Sequence, residues 1–166
     1  MDLLIAHRGR RVVVAARASP PFVPQALVLE EDTFMVLSAD AELREPKAHP
    51  LQIFTALLDL EPKAIGEAVE CGGAPSKVLA IVHDTALEPT TSLEFVRVAM
   101  DSVAELSTRR GWSRLGVEVL GTIHGKLGLD EVLPRILEAL PDNVTDVWLI
   151  PREGQEDLVG AWLRRP

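Results

Sequence analysis

The chain has 166 residues, a formal net charge of −8 and a single cysteine, Cys71. This length predicts one domain over residues 1–166, large enough to bury a core without a structural metal or a disulfide. The negative charge repels nucleic-acid backbones, and the short basic stretches at 7–11 and 164–165 lack interleaved aromatic residues, so we expect no nucleic-acid partner. A lone cysteine excludes an internal disulfide and favours the cytoplasm.

Membrane association is also not expected from the sequence. No apolar run approaches the roughly 18 residues that cross a bilayer, and the N-terminus lacks a signal-peptide pattern.

Short apolar segments in the first part of the chain are typical of strands. Strands are predicted over residues 3–6, 11–16, 25–29 and 33–38, and a helix over 51–60. The acidic stretch Glu30-Glu31-Asp32 separates two of these strands, and its composition is typical of a solvated loop.

The second part of the chain alternates strands with longer helices. The first of these helices begins at the capping-box pattern Thr91-Ser-Leu-Glu94 and closes at Gly111. Strands are predicted over residues 65–71, 78–83, 115–120 and 144–150, and further helices over 130–140 and 155–163. Strands separated by helices pair in parallel through crossovers, so we expect an α/β fold, a three-layer α/β/α sandwich with a mixed, mostly parallel central sheet.

The segment between the strand at 115–120 and the helix at 130–140 is called the glycine loop here (residues 121–128). It contains Gly121, Gly125 and Gly128, with Thr122 and His124 between them. A strand that leads through glycines into a helix is a common way to bind an anion, because backbone N–H groups point at the ligand. The pattern indicates a phosphate-bearing ligand. The alternative is a tight strand-to-helix connection that needs glycine only for its backbone angles.

The order of elements from residue 25 to residue 163 resembles the macro domain, an ADP-ribose-binding module. The resemblance lies in Gln25-Ala-Leu-Val-Leu-Glu-Glu-Asp32, Ile65-Gly-Glu-Ala-Val-Glu-Cys-Gly-Gly73, Lys77-Val-Leu-Ala-Ile-Val-His83 and Val117-Glu-Val-Leu-Gly-Thr-Ile-His-Gly125. The last segment is similar to the family's second ligand loop, where Gly-Thr-Gly follows a strand. The resemblance implies a mixed sheet in which strand 115–120 is central and the glycine loop opens at its carboxyl end.

The sequence departs from the family's pattern at three places. No acid stands near residues 17–20, where the family has an aspartate for the adenine amine. The family's Asn-Ala-Ala-Asn is replaced by Leu29-Glu-Glu-Asp32, whose carboxylates would repel a diphosphate that they faced. Ile123 replaces the middle glycine of the second ligand loop, and we expect its side chain to be mostly buried.

The predicted ligand-binding residues follow from the glycine loop and the resemblance together. They are Gly121, Thr122, Ile123, His124, Gly125 and Asp32. No catalytic residue, metal ligand or cofactor is predicted. Two functions stay open: a divergent macro-like binding module for ADP-ribose or a related nucleotide diphosphate, and a macro-like domain that has lost nucleotide binding and joins a protein partner or a homo-oligomer. An enzyme acting on a nucleotide-derived substrate is a third reading.

Overall fold

The computed structural model describes residues 3–37 and 61–166. Within them the strands are β1 (Leu3–His7), β2 (Arg10–Val14), β3 (Ala26–Asp32), β4 (Ala68–Gly72), β5 (Ser76–His83), β6 (Arg114–Glu118) and β7 (Asp146–Ile150). The helices are α1 (Leu93–Arg110), α2 (Leu129–Ala139) and α3 (Glu156–Leu163). The helix predicted over 51–60 lies outside the described residues. None of the described helices is long and apolar enough to cross a membrane.

The strands form one sheet in the order β1-β2-β7-β6-β3-β5-β4. The inner five strands are parallel, and the two outer strands pair antiparallel with their neighbours. The sheet is therefore mixed and mostly parallel, as predicted. Strand β6 is central and the glycine loop follows its carboxyl end, which confirms both expectations about this segment.

The sheet buries one large hydrophobic cluster and two smaller ones. Helices α1, α2 and α3 pack on the large cluster, which includes strand residues such as Val28, Val117 and Leu149. Because side chains alternate along a strand, the neighbouring residues Leu27 and Trp148 point to the other face, where they join a separate small cluster.

The central strands β3 and β6 separate before they end. Their ladder runs only from Ala26 opposite Leu115 to Val28 opposite Val117. Beyond this point β3 continues to Asp32 alongside β5. A gap therefore opens between β3 and β6 at their carboxyl ends, which is where open α/β sheets bind ligands.

The acidic stretch after residue 29 is not the solvated loop that its composition suggested. Glu30, Glu31 and Asp32 continue strand β3 and are only 4%, 0% and 1% exposed. Carboxylates tolerate such burial only when hydrogen bonds replace the lost water, and each of the three has such bonds. Their partners are distant or irregular segments of the chain, so local composition did not indicate them.

The strand predicted over residues 33–38 is also wrong for its described part. Thr33 and Phe34 lie in a turn, and a helical turn begins at Val36. The Asp32 carboxylate accepts hydrogen bonds from the backbone N–H groups of Phe34, Val36 and Leu37, at 2.8, 2.9 and 2.9 Å. An aspartate that binds the amides following it favours a turn over a strand.

Candidate functional site

The glycine loop is folded tightly on itself. The backbone N–H of Leu127 donates to the carbonyl oxygen of Gly121 at 3.2 Å. Thr122 donates to the Val119 carbonyl from both its backbone N–H, at 3.1 Å, and its hydroxyl, at 2.6 Å. These bonds hold the loop in a compact turn between β6 and α2.

Two of the loop's glycines are required by this turn itself. Gly121 has φ +79°, and a Cβ there would lie 2.4 Å from the Leu127 side chain. A Cβ on Gly125 would lie 2.4 Å from the carbonyl oxygen of Gly121. The tight connection that the sequence left open as an alternative therefore accounts for both glycines without a ligand.

The Glu30 side chain crosses the gap between β3 and β6 and reaches the glycine loop. One carboxylate oxygen, Oε2, accepts hydrogen bonds from the backbone N–H groups of Gly121, at 2.9 Å, and Ile123, at 3.2 Å. The other oxygen, Oε1, accepts from the backbone N–H of His124 at 3.2 Å. Three backbone N–H donors of the loop thus converge on one internal carboxylate.

His83 supplies a fourth partner for this carboxylate. It is the last residue of β5, it is 3% exposed, and its Nε2 atom is hydrogen-bonded to Oε1 of Glu30. Its Nδ1 atom lies 2.8 Å from the hydroxyl oxygen of Thr90. The end of β5 and the glycine loop are therefore joined through Glu30 at the same edge of the sheet.

Glu118 closes the gap from the side of β6. Its Oε2 atom accepts a hydrogen bond from the backbone N–H of Glu30 at 2.7 Å, where the ladder between the two strands has ended. Its Oε1 atom accepts from Nη1 of Arg17 at 3.1 Å. Burial raises the pKa of the Glu118 carboxyl to about 7, and the nearby Glu30 and Glu31 add to the rise, although Arg17 and the bond from Glu30 oppose it.

Solved structures with a similar fold cover nearly the whole chain. The Oceanobacillus iheyensis macrodomain with ADP matches with a TM-score of 0.68 and 11% identity, over 98% of this chain and 94% of that chain. The macro domain of ganglioside induced differentiation associated protein 2 matches with a TM-score of 0.64 and 14% identity, over 93% and 82%. This chain has the macrodomain fold.

A third similar structure is the macrodomain of Thermus aquaticus DarG, with a TM-score of 0.59 and 16% identity over 84% of this chain and 97% of that chain. These macrodomains confirm the predicted α/β/α sandwich. No protein-family model matches the chain. No curated protein matches it either.

The structure places the predicted ligand-binding residues of this macrodomain fold in three different roles. The backbone N–H groups of Gly121, Ile123 and His124 bind Glu30. The Thr122 hydroxyl binds within the loop, and Gly125 packs against Gly121 and the Thr91 methyl group. Asp32 is engaged with the turn that follows β3.

Ile123 is mostly buried, as expected. It is absent, however, from the residues packed on the three hydrophobic clusters. His124 presents an exposed side chain. Backbone amides, more than side chains, therefore connect this part of the loop to the fold.

The sequence indicated the glycine loop but not the two glutamates that fill the gap between β3 and β6. Glu30 and Glu118 each stand at the carboxyl end of a central strand, and neither was among the predicted site residues. Each is an acidic residue at the end of an apolar run, and Glu118 also precedes the glycine loop. That pattern was the available signal, since buried strand ends rarely carry an unpaired acid.

Among residues 3–37 and 61–166, no group of three or more His, Cys, Asp and Glu side chains is placed to hold a metal ion. A cavity of about 270 Å³ lies where β2 and β7 end. Its described lining residues are Ala16, Arg17, Ala18, Pro151, Glu153 and Glu156.

Proposed function

We propose that this protein has lost diphosphate binding at its glycine loop. It keeps the macrodomain fold and acts as a module that binds a protein partner or assembles with itself. One observation carries the proposal: the loop amides of Gly121, Ile123 and His124 already bind the carboxylate of Glu30. This carboxylate belongs to the chain, so it occupies the anion-binding surface of the loop whenever the protein is folded.

The charge of Glu30 makes a second anion at the loop unfavourable. Two like charges about 4 Å apart repel by about 4 kcal/mol at the effective dielectric constant typical of protein sites. A phosphate group could bind these amides only by displacing Glu30 from the three amides and from His83. The displaced Glu30 would be a buried carboxylate without its partners, which costs more than an ordinary hydrogen bond.

Binding of ADP-ribose or a related nucleotide diphosphate is the second candidate function. It is favoured by the similar macrodomain whose structure was solved with ADP, and by the cavity at the ends of β2 and β7. In this case the nucleoside part of the ligand would enter that cavity, and the phosphates of the ligand would contact the glycine loop from outside. Glu153 and Glu156 in the cavity lining oppose a diphosphate there as well.

Calorimetric titration of the purified protein with ADP-ribose separates the two functions. We expect no saturable heat up to millimolar ligand, because Glu30 occupies the loop amides. Saturable binding by the unmodified protein with a micromolar Kd, about −8 kcal/mol, would establish nucleotide binding and refute the proposal.

Substitution of Glu30 tests the cause of the closure. Glu30→Ala removes the carboxylate and exposes three amide donors, so we expect it to gain binding of ADP-ribose and of inorganic phosphate at a cost in stability. Glu30→Gln keeps the shape but can accept at only one of its two terminal atoms, so a smaller gain is expected. Ile123→Gly is the matched control, since it removes the side chain but leaves its amide on Glu30. A gain confined to Ile123→Gly would assign the closure to the isoleucine.

A further inference from the structure

A second cavity lies on the sheet face opposite the three described helices. It has a volume of about 430 Å³, within the range of small-molecule sites. Its described lining residues are Arg17, Pro20, Phe22, Val23, Pro24, Leu27, Pro75 and Trp148. All of them except Arg17 are apolar, and the glycine loop and Glu30 contribute nothing to this lining.

The walls of this cavity are held in place by contacts outside it. The indole Nε1 of Trp148 donates to the carbonyl oxygen of Ala15 at 2.9 Å, so the ring is fixed and presents only carbon to the cavity. Arg11 stacks on the Phe22 ring, with its guanidinium carbon 5.6 Å from the ring centre. Three prolines supply rigid wall segments that carry no backbone N–H. A preformed apolar wall of this kind reduces the ordering cost of binding.

Apolar surface is left accessible around the cavity. Val23 is 73% exposed, and Phe22 and Leu27 are partly exposed. Exposed apolar side chains that surround a concavity mark a ligand site more often than side chains scattered singly. The apolar part of any ligand would be desolvated here.

Among the described lining residues, Arg17 is the charged one. Its side chain is 57% exposed, and only its Nη1 atom is hydrogen-bonded to Glu118. A guanidinium has five N–H donors, so Arg17 can bind a second carboxylate while it remains in contact with Glu118. Charge complementarity at this position therefore favours an anionic group that accepts two N–H donors, such as a carboxylate.

We propose that this cavity is a binding site for a small carboxylate with an aromatic or branched apolar body. The body packs on Phe22, Leu27 and Trp148, and the carboxylate pairs with Arg17. No residue of the glycine loop lines this site, but Arg17 also lines the cavity at the ends of β2 and β7, so a nucleotide in that cavity would share this arginine.

Two matched probes test the chemistry: 2-naphthoate and its neutral counterpart 2-naphthamide. We expect 2-naphthoate to bind with a submillimolar Kd by calorimetry, and 2-naphthamide to bind about tenfold more weakly because it lacks the charge. The indole N–H resonance of Trp148 should shift on binding, whereas those of Trp112 and Trp162, which lie outside the lining, should not. Acetate, which has no apolar body, should produce no shift at Trp148.

Variants at the mouth of the cavity sharpen the assignment. Arg17→Gln should bring the affinity for 2-naphthoate down to that for 2-naphthamide, and Arg152→Gln, an exposed arginine outside the lining, should change neither. Val23→Glu places a negative charge at an exposed position of the lining and should weaken only 2-naphthoate. Both test positions are exposed, so these variants should fold as the parent does.

The opposite results would overturn the proposal. Equal affinity for the acid and the amide in the parent would remove the role of Arg17. Saturable binding without a shift at Trp148, or no binding at millimolar probe, would show that the cavity is not the binding site.

Short peptides that end in phenylalanine, with a free or an amidated C-terminus, then identify the source of the carboxylate. Stronger binding of the free peptide than of 2-naphthoate assigns the site to a chain terminus, and weaker binding assigns it to a free small molecule.

Discussion

Glu30 and Glu118 fill the same gap between two strands, but they differ in their surroundings. Glu30 accepts hydrogen bonds from three backbone amides and is bonded to His83, so these partners replace the water that burial removes. Glu118 accepts one backbone N–H and one bond from an exposed arginine. Burial without full compensation disfavours the charged form of a carboxyl group, and this explains why the pKa of Glu118 is raised.

The raised pKa of Glu118 predicts that stability falls as the pH rises. The folded pKa is about 7 against 4.5 for a free glutamate, so the folded state holds the proton more tightly than the unfolded state does. The stabilisation is complete below pH 4.5 and is lost as the pH rises through about 7, a total of about 3 kcal/mol. Urea unfolding at about pH 5 and about pH 8 measures most of this difference.

Glu118→Gln provides the comparison for that measurement. A glutamine carries no charge at either pH, so the loss of stability between the two should shrink by about 2 to 3 kcal/mol. Glu105→Gln, on the exposed side of α1, should leave the parent's pH dependence unchanged. An equal pH dependence in Glu118→Gln and the parent would mean that other groups control it.

The sequence indicated where the glycine loop lies, but it did not indicate which distant residues contact the loop. The glycines at 121 and 125 are visible as a pattern because their neighbours in sequence are also their neighbours in space. Glu30 lies 91 residues from Gly121 and 53 residues from His83, so no local pattern records these contacts. Acidic residues are usually exposed to solvent. Only the folded chain shows that Glu30 is buried.

The start of helix α1 is the clearest case at the scale of elements. Ser92 is the N-cap, and its hydroxyl oxygen accepts a hydrogen bond from the backbone N–H of Phe95 at 3.3 Å. The preceding hydroxyl, that of Thr91, is buried, and no hydrogen-bond partner for its oxygen is found among the described residues. Two adjacent hydroxyls thus have opposite expected contributions to stability.

Substitution of Ser92 should lower the stability, whereas substitution of Thr91 should not. Ser92→Ala removes the cap and should lower the free energy of unfolding by about 1 kcal/mol. Thr91→Val keeps the shape and removes an unsatisfied buried polar atom, so it should leave stability unchanged or raise it by up to about 1 kcal/mol. Thermal or urea unfolding of both variants checks this. A loss in Thr91→Val as large as that in Ser92→Ala would show that the Thr91 hydroxyl has a partner in solution.

Elements with local determinants were predicted well, and those with distant determinants were not. The capping residues correctly predicted where α1 begins, and Gly111, the C-cap with φ 65°, correctly predicted where it ends. The predicted strand over residues 25–29 ended three residues too early, because the acidic residues at 30–32 are typical of a solvated loop. Its true end at Asp32 depends on pairing with β5 and on the amides that these carboxylates bind.

At the scale of the whole molecule, the sheet has a well-buried centre and less protected edges. Strand β6 is buried from Leu115 to Glu118 and has parallel neighbours on both sides. Strand β1 pairs with β2 alone in the described sheet, and Leu4 on it is 59% exposed. The alternation of strands and helices along the sequence predicted a parallel sheet, but only the resemblance to macro domains indicated which strand would be central.

Amide hydrogen exchange should follow this order. The amides of β6 and of the paired part of β3 should exchange only through global unfolding, and those of β1 should exchange through local opening at a lower free energy. Exchange measured by NMR at several low urea concentrations distinguishes the two routes. Equal protection of β1 and β6 would indicate that the outer edge of β1 is covered in solution.

The bond between Glu30 and the glycine loop also changes how the protein responds to dilution and to competing anions. A tethered carboxylate has a fixed effective concentration, so the loop is occupied equally in dilute and concentrated solution. A free anion gains access only in the fraction of molecules in which Glu30 has left the loop, and its apparent affinity is reduced by that fraction. We therefore expect that this edge of the sheet needs no free anion to order it, and that phosphate or ADP-ribose leaves the melting temperature unchanged.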